Sequence, residues 1–178
     1  MCVPALAADY AIDANHTQAE FTVVHLGFGH VRGIVPVASG TVAAGANDLP
    51  TAVNVTFSAK DLDTHSVNRD KELHGADWFE VEKYPTMTFV AKQITGSAQA
   101  FKMLGDLTMH GVTKPVTLSG KQEGKLVDAR GRTHLAYSAT TTLDRREWGL
   151  VWGGTVPGGA LVAGNDVTIE IAVEIVSK

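Results

Sequence analysis

The sequence contains little cysteine, few aromatic residues and no excess of positive charge. Its one cysteine, Cys2, excludes an intramolecular disulfide framework and a cysteine-rich zinc or iron–sulfur site. A formal net charge of −4 offers no basic surface for DNA or RNA, so nucleic acid is not an expected partner. No apolar run reaches the roughly 18 residues of a membrane-spanning helix. With 178 residues, 44% of them hydrophobic, the chain has the size and composition of one folded domain.

The N-terminus carries a signal-like feature. The triplet Ala5-Leu6-Ala7 precedes the polar Asp9 and has the small residues that signal peptidase accepts at a cleavage site. The charged and apolar regions of a complete leader do not precede it, so the triplet is either the end of a truncated leader or a chance occurrence. We expect residues 1–8 to be the remnant of a signal peptide and residues 9–178 to form one exported domain.

Alternation of apolar and polar residues dominates the rest of the chain. It is clearest in residues 18–25, 53–59 and 167–175, and it is weaker in residues 31–42, 86–94, 101–109, 116–124 and 135–143. Successive side chains of a strand point to opposite faces, so each segment predicts a strand with one apolar face. Short turn-forming clusters between the segments favour antiparallel neighbours. About eight strands of this kind predict an all-β sandwich or closed barrel.

Two segments interrupt the strand pattern. Residues 68–74 are polar and predict one short helix, which is followed by the aromatic pair Trp78 and Phe79. The second segment, residues 148–164, is rich in glycine and contains Trp152. The inward-facing candidates of the strands mix bulky and small side chains, a pattern that fits either a hollow barrel or a filled, tapering one.

Catalytic and metal-binding patterns are weak. The seven histidines show no paired spacing of the kind that binds a metal ion, although His25 and His30 flank a short turn. No nucleophile elbow and no lysine-containing phosphate loop are present. The sequence therefore predicts no catalytic residue, no metal site and no cofactor.

Two arginines are candidates for contact with an anionic group. Arg146 lies in a charged cluster next to Asp144, and Arg69 lies beside Asp70. Each has a plain interpretation as a solvated local ion pair, and an alternative as a ligand for a head group at the mouth of a barrel. The pair Trp78 and Phe79 similarly predicts either a plug at the barrel end or a ligand contact.

Several motifs, in order along residues 9–178, carry a resemblance to a known family. They are Tyr10-Ala11-Ile12-Asp13 with His16-Thr17, Asn68-Arg69-Asp70, the block from Ala76-Asp77-Trp78-Phe79 to Tyr84-Pro85-Thr86, Gly105-Asp106-Leu107-Thr108 with His110-Gly111-Val112-Thr113-Lys114-Pro115, and Leu143-Asp144-Arg145 with Trp148-Gly149. The chain resembles the YceI-like family of periplasmic, lipocalin-like polyisoprenoid-binding proteins. It departs from the family pattern at Glu72, where many relatives carry histidine, and in the glycine-rich loop at residues 152–164.

The resemblance implies an extended antiparallel barrel of about eight strands, located in the periplasm, with an isoprenoid lipid as ligand. A tunnel would shelter the lipid tail from water. Combined with the alternation, this predicts that the following residues bind the ligand: Phe21, Val23, Val55, Phe57, Trp78, Phe79, Phe89, Leu107, Met109, Leu143, Trp148, Ile169 and Ile171.

The leading functional hypothesis is a non-enzymatic carrier of an isoprenoid quinone or polyprenyl lipid. A second is an interaction module with a filled barrel, whose loop at residues 148–164 contacts a membrane partner such as a cytochrome. A third is a histidine-based metal enzyme. The sequence leaves open a membrane-surface partner, a homodimer, and the head group and chain length of a lipid.

Overall fold

The alternating segments form a strongly twisted antiparallel sheet. A computed structural model describes residues 8–178, so all of the predicted signal remnant except Ala8 lies outside the described residues. The ten strands are β1 (Ala8–Ile12), β2 (Gln18–His25), β3 (Gly29–Ile34), β4 (Val37–Ala44), β5 (Pro50–Ser58), β6 (Thr86–Ser97), β7 (Ala100–Met109), β8 (Val112–Val127), β9 (Thr133–Asp144) and β10 (Ala163–Ser177). One α-helix, α1 (Val67–His74), matches the predicted polar helix, and 3₁₀ turns form at Ala59–Asp61 and Arg145–Trp148.

These ten strands fill eight positions of a closed barrel. β10 pairs along one edge with β9 and along the other with both β1 and β2, which follow each other as a single interrupted strand. β3 and β4 are interrupted in the same way and pair with β2 and β1. β4 to β10 then follow in sequence order around the barrel. The predicted all-β antiparallel barrel of about eight strands with one helix is confirmed.

One part of the wall is completed by irregular chain rather than by a strand ladder. β4 pairs with β5. β3 pairs with β2 along one edge, and among the described residues its other edge has a single bridge, from Ile34 to Asp63. The segment that follows β5 and includes α1 therefore lies against this opening. Its side chains reach the barrel interior here, whereas strands do so elsewhere.

Two apolar clusters close the two ends of the barrel. One gathers around the β6–β7 and β8–β9 turns and includes Phe101, Leu135, Tyr137 and Ile175. The other gathers around the β7–β8 hairpin and the two 3₁₀ turns and includes Met109, Trp148 and Leu150. The space between them is the central part of the barrel.

Phenylalanine rings pack against glycines on neighbouring strands inside the barrel. A Cβ atom added to Gly33 would stand 2.5 Å from the Phe21 ring, and one added to Gly120 would stand 2.5 Å from the Phe101 ring. Gly105 is covered by Phe89 in the same way. Because glycine leaves room for a ring against the backbone, these large side chains line the wall instead of crossing the lumen.

Candidate functional site

A cavity of about 360 Å³ occupies the barrel between the two apolar clusters. Its volume is within the range of small-molecule sites, and its wall is overwhelmingly apolar. Every predicted tunnel residue except Trp148 lies on this wall: Phe21, Val23, Val55, Phe57, Trp78, Phe79, Phe89, Leu107, Met109, Leu143, Ile169 and Ile171. The alternation of strand side chains brings them together, since each comes from the inward face of its strand or from the segment around α1.

The inward-facing isoleucines of β10 differ in burial along the strand. Ile175 is fully buried in the end cluster, whereas Ile169 and Ile171, on the same face of the same strand, are only half-buried. All three point inward because Ile171 follows Ile169 by two residues and Ile175 follows Ile171 by four, both even spacings along a strand. All three residues lie on the cavity wall, and Ile171 also packs against the end cluster that contains Ile175.

Trp148 departs from the predicted position. Its side chain is 1% exposed and packs in the end cluster, and its indole Nε1 donates a 3.1 Å hydrogen bond to the Leu107 carbonyl. Trp148 is the last residue of the 3₁₀ turn Arg145–Trp148, which ends at Gly149 in the left-handed conformation. Trp148 is therefore part of the end wall of the barrel and does not line the cavity.

Of the adjacent arginines Arg145 and Arg146, the one that reaches the cavity wall is Arg145, not the predicted Arg146. Arg146 is exposed and its guanidinium pairs with the Asp144 carboxylate, the plain interpretation of that cluster. Arg145 is only 4% exposed and lies on the cavity wall. Consecutive residues of a 3₁₀ turn point about 120° apart. The turn therefore directs one arginine outward and its neighbour inward.

Backbone carbonyls hold the guanidinium of Arg145. Nε donates to Gly164 at 2.9 Å, Nη2 donates to Ala163 at 3.1 Å, and Nη1 donates to Leu150. No ion pair of Arg145 is found within residues 8–178. Burial lowers the pKa of the guanidinium below its ordinary value, although an arginine remains charged at neutral pH. The result is a buried positive charge that no carboxylate balances by direct contact.

Trp78 lies beside this charge. The centre of its ring is 5.3 Å from Cζ of Arg145 and 5.0 Å from the ring centre of Trp152. The Trp78 side chain is buried, and its indole Nε1 has no hydrogen-bond partner among the described residues. An unpaired buried donor is costly, so such groups commonly mark the place of a ligand or a water molecule.

Arg69 also lies on the cavity wall, and a local network holds it. Its Nε and Nη2 donate 2.7 Å hydrogen bonds to the hydroxyl and carbonyl oxygens of Thr64, and Asp70 accepts from the Thr64 backbone N–H and hydroxyl. The neighbouring Glu72 lines the cavity as well. Arg69 and Glu72 thus place charges of both signs on the α1 side of the cavity.

The cavity wall carries a few polar side chains, among them that of His25. Its polar side chains, such as Arg69, Glu72 and Arg145, are charged donors or acceptors on an apolar wall. His110 and His134, both outside the wall, contact the Trp148 carbonyl and the Glu174 carboxylate respectively. Among the helices of residues 8–178, none has the length and apolar character needed to cross a lipid bilayer.

Comparison with known proteins agrees with this architecture. A family model of the YceI-like domain matches residues 10–175. Protein YceI of Escherichia coli O157:H7 is 34% identical over 149 residues, which cover 82% of this chain and 78% of that protein.

Solved structures share the fold. The crystal structure of a YCEI protein from Campylobacter jejuni superposes with a TM-score of 0.75 at 25% identity, covering 87% of this chain and 90% of that one. A polyisoprenoid binding domain from Saccharophagus degradans has a TM-score of 0.64 at 13% identity, covering 99% and 100% of the two chains. On the family match and the sequence identity to its relatives, this chain belongs to the YceI-like family.

Proposed function

We propose that the protein is a non-enzymatic binding protein for isoprenoid lipids, such as an isoprenoid quinone or a polyprenyl species, and that it acts in the periplasm. The observation that carries the proposal is the apolar cavity that fills the barrel between its two end clusters. Family membership and the fold shared with a polyisoprenoid binding domain support the same ligand class.

The cavity wall suits a branched hydrocarbon tail. Transfer of each CH₂ group from water to an apolar site contributes roughly 0.8 kcal/mol. Several prenyl units therefore exceed the 4–15 kcal/mol or so that association costs in lost freedom of motion. The rings of Phe21 and Phe89 are held against glycines, so the wall is formed before the tail enters and little further ordering is required.

The head group would lie where Arg145 and Trp78 meet. The positive charge of Arg145 and the unpaired Nε1–H of Trp78 favour an oxygen-rich acceptor. Both a quinone carbonyl and a phosphate are acceptors of this kind. Arg69, with two of its donors held by Thr64, would contribute a second positive charge on the α1 side of the cavity.

Exposed apolar side chains near the cavity support contact with a membrane surface during loading. Phe28 is 81% exposed at the tip of the β2–β3 hairpin, and Val151 is 69% exposed in the loop after the second 3₁₀ turn. A hydrogen bond from the Leu26 backbone N–H to the Val162 carbonyl joins the hairpin to the end of that loop. A cytochrome partner and a homodimer stay predictions of the sequence alone.

The direct test is mass spectrometry of an organic extract of the purified protein, followed by titration of the delipidated protein with a prenyl quinone and with a polyprenyl phosphate. We expect a co-purified isoprenoid lipid and saturable uptake of one of the two probes. A protein that carries no such lipid and takes up neither probe would contradict the proposal.

A matched pair of variants ties the binding to the cavity. Ala139 faces the cavity from β9, and Ala139→Phe fills part of it. Ala172 is exposed on the outer face of β10, close to the same level of the barrel, and Ala172→Phe serves as the control. We expect at least a tenfold loss of lipid affinity in A139F and no change in A172F. An equal affinity in both variants would place the ligand outside the barrel.

A further inference from the structure

A second cluster of functional groups lies on the outer face of the barrel, where one barrel strand is interrupted. β1 ends at Ile12 opposite Ile175, and β2 begins at Gln18 opposite Ala172. The five residues between them, 13–17, therefore lie against residues 173 and 174 of β10. Glu174 alternates with the fully buried Ile175, so its side chain points away from the cavity.

Hydrogen bonds fix the interrupting segment to Glu174. The Asp13 backbone N–H donates to the Glu174 carbonyl at 2.9 Å. The Glu174 backbone N–H donates to the hydroxyl of Thr17, a buried residue, at 3.2 Å. These bonds hold both ends of the segment, so the side chains between them keep a fixed relation to the Glu174 carboxylate.

The segment turns so that an imidazole faces two carboxylates. Oδ1 of Asp13 accepts from the Asn15 backbone N–H at 3.0 Å, and Oδ2 of Asp13 lies 3.0 Å from Nδ1 of His16. One ligand atom from each of Asp13, His16 and Glu174 lies within 4.8 Å of the other two. More than 150 residues of sequence separate Asp13 from Glu174, so no short sequence motif contains all three residues.

Further side chains orient the Glu174 carboxylate. Nδ1 of His134 lies 2.7 Å from Oε1 of Glu174, which leaves Oε2 of Glu174 for other partners. Nε2 of His134 lies 3.3 Å from Oδ2 of Asp128, and the same oxygen accepts from Nε of Arg132 at 2.8 Å. Metal-binding sites commonly have such an outer layer, which holds a ligand in position before the ion arrives.

We propose that Asp13, His16 and Glu174 bind one divalent transition-metal ion of the Zn²⁺ class on the outside of the barrel. One imidazole nitrogen and two carboxylate oxygens form a mixed nitrogen–oxygen set, which suits Zn²⁺ better than Ca²⁺ or Mg²⁺. Three protein ligands leave a fourth position for water. Ligand atoms around one tetrahedral ion lie roughly 3.3–3.5 Å apart, given metal–ligand distances near 2.1 Å. Small side-chain rotations of the exposed His16 would bring the group to that spacing.

The bound ion would join the interrupting segment to the last strand. β1 and β10 share only a short ladder, Tyr10↔Ser177 to Ile12↔Ile175, where the barrel closes. A metal ion held by residues on both sides of this seam strengthens the closure. Since the site and the cavity lie on opposite faces of the wall, metal binding and lipid binding are independent, and failure of one proposal leaves the other standing.

The test is a calorimetric titration of the EDTA-treated full chain with Zn²⁺ near pH 7.5, with thermal unfolding recorded with and without the ion. A Cys2→Ser background removes the one thiol as a competing ligand. We expect one equivalent of Zn²⁺ per chain and a higher unfolding temperature in its presence. An absence of stoichiometric binding, or Zn²⁺ that binds without raising the unfolding temperature, would overturn the proposal.

Variants separate a metal site from a network of ion pairs. His16→Gln removes the imidazole ligand, and Asp13→Asn keeps the acceptor for the Asn15 N–H while weakening the ligand oxygen. His65→Gln is the control, because His65 also faces a carboxylate, that of Asp63 at 3.8 Å, but belongs to no described three-residue group.

We expect H16Q and D13N each to lose more than tenfold in Zn²⁺ affinity, and H65Q to retain the affinity of the parent. His134→Gln, which alters the outer layer, is expected to lose roughly tenfold to a hundredfold. Circular dichroism of the metal-free variants checks that each is folded. A folded H16Q protein that binds Zn²⁺ as tightly as its parent would overturn the proposal.

Discussion

The guanidinium carbon of Arg145 lies 5.3 Å from the centre of the Trp78 ring, at the wall of the barrel cavity. Tryptophan is the aromatic side chain that attracts a cation most strongly, and the attraction grows when both groups are shielded from water. The contact places a charge, and an indole donor that has no hydrogen-bond partner among the described residues, on a mostly apolar wall. It also explains how a cation remains buried here without a carboxylate in direct contact.

Replacing Arg145 is expected to destabilise the protein far more than replacing its neighbour. Arg145→Met removes the hydrogen bonds to the carbonyls of Leu150, Ala163 and Gly164, and we expect a loss of at least about 2 kcal/mol of unfolding free energy. Arg146→Met breaks only an exposed pair with Asp144 and is expected to cost less than about 1 kcal/mol. Urea unfolding of the two variants measures the difference. Equal losses would mean that the carbonyl contacts contribute little.

Arg145→Lys separates charge from geometry. Lysine keeps the positive charge but cannot reproduce the planar fork that reaches three carbonyls. We expect R145K to lose stability relative to the parent and to retain more affinity for a polyprenyl phosphate than R145M. If both variants bind the phosphate equally, the head group does not use this charge.

Two tryptophans that look alike in the sequence are expected to respond in opposite ways. Trp148→Phe leaves the Leu107 carbonyl without its 3.1 Å hydrogen bond inside a packed cluster, so we expect a loss of about 2 kcal/mol or more in unfolding free energy and unchanged lipid affinity. Trp78→Phe removes a donor that has no described partner and weakens the contact with Arg145, so we expect a smaller loss of stability than in W148F while affinity for the head group falls. Denaturant unfolding and lipid titration on both variants test the pair.

The sequence predicted the cavity wall well because the strand period is a local property. Phe21, Ile169 and Ile171 follow from alternation alone, and strand register then places them on one inner surface. The predictions for Trp148 and Arg146 did not rest on alternation, and neither residue lies on the cavity wall; a 3₁₀ turn, which periodicity does not reveal, sets their directions. The run at residues 31–42, predicted as one weak strand, is two strands broken around Pro36, since proline lacks the N–H that a ladder requires.

The sequence also could not predict which residues far apart along the chain lie close together in the fold. Asp13, His16 and Glu174 come together only because β10, the last strand, closes the barrel against β1 and β2, the first two. No spacing rule connects residues at opposite ends of the chain. The sequence left open whether the barrel is hollow or filled. The rings of Phe21 and Phe89 pack against Gly33 and Gly105, which leaves space in the centre of the barrel.

Gly33→Ala is expected to reduce lipid binding through Phe21. The new Cβ would stand 2.5 Å from the Phe21 ring and 2.8 Å from the Asp63 carbonyl oxygen, so the ring and the neighbouring backbone must both shift. We expect a loss of about 1–3 kcal/mol of stability from overpacking, together with weaker lipid uptake. Gly124→Ala is the control, because a Cβ there meets no atom within 4 Å. Lipid titration of both variants measures the difference in affinity. Full affinity in a folded G33A protein would show that the ring moves elsewhere.

Asp70 ties α1 to the segment that completes the barrel wall. Its Oδ1 accepts hydrogen bonds from the Thr64 backbone N–H, at 2.9 Å, and from the Thr64 hydroxyl, at 2.5 Å. Burial by itself would raise the pKa of the Asp70 carboxyl, but these hydrogen bonds and one from the Ser66 backbone outweigh it, so the pKa lies below its ordinary value. The folded protein therefore favours the ionised form of Asp70.

This shift predicts an acid-dependent contribution to stability. Because the pKa of Asp70 is lower in the folded than in the unfolded protein, its contribution is complete above the unfolded value of about 3.9 and is lost as the pH falls through the folded value. Asp70→Asn should lower the free energy of unfolding at pH 7, and its difference from the parent should shrink between roughly pH 5 and pH 2. Asp77→Asn, which removes an exposed carboxylate from the same segment, is the control. Urea unfolding at a series of pH values measures both variants, and a D70N difference that stays constant with pH would contradict the assignment.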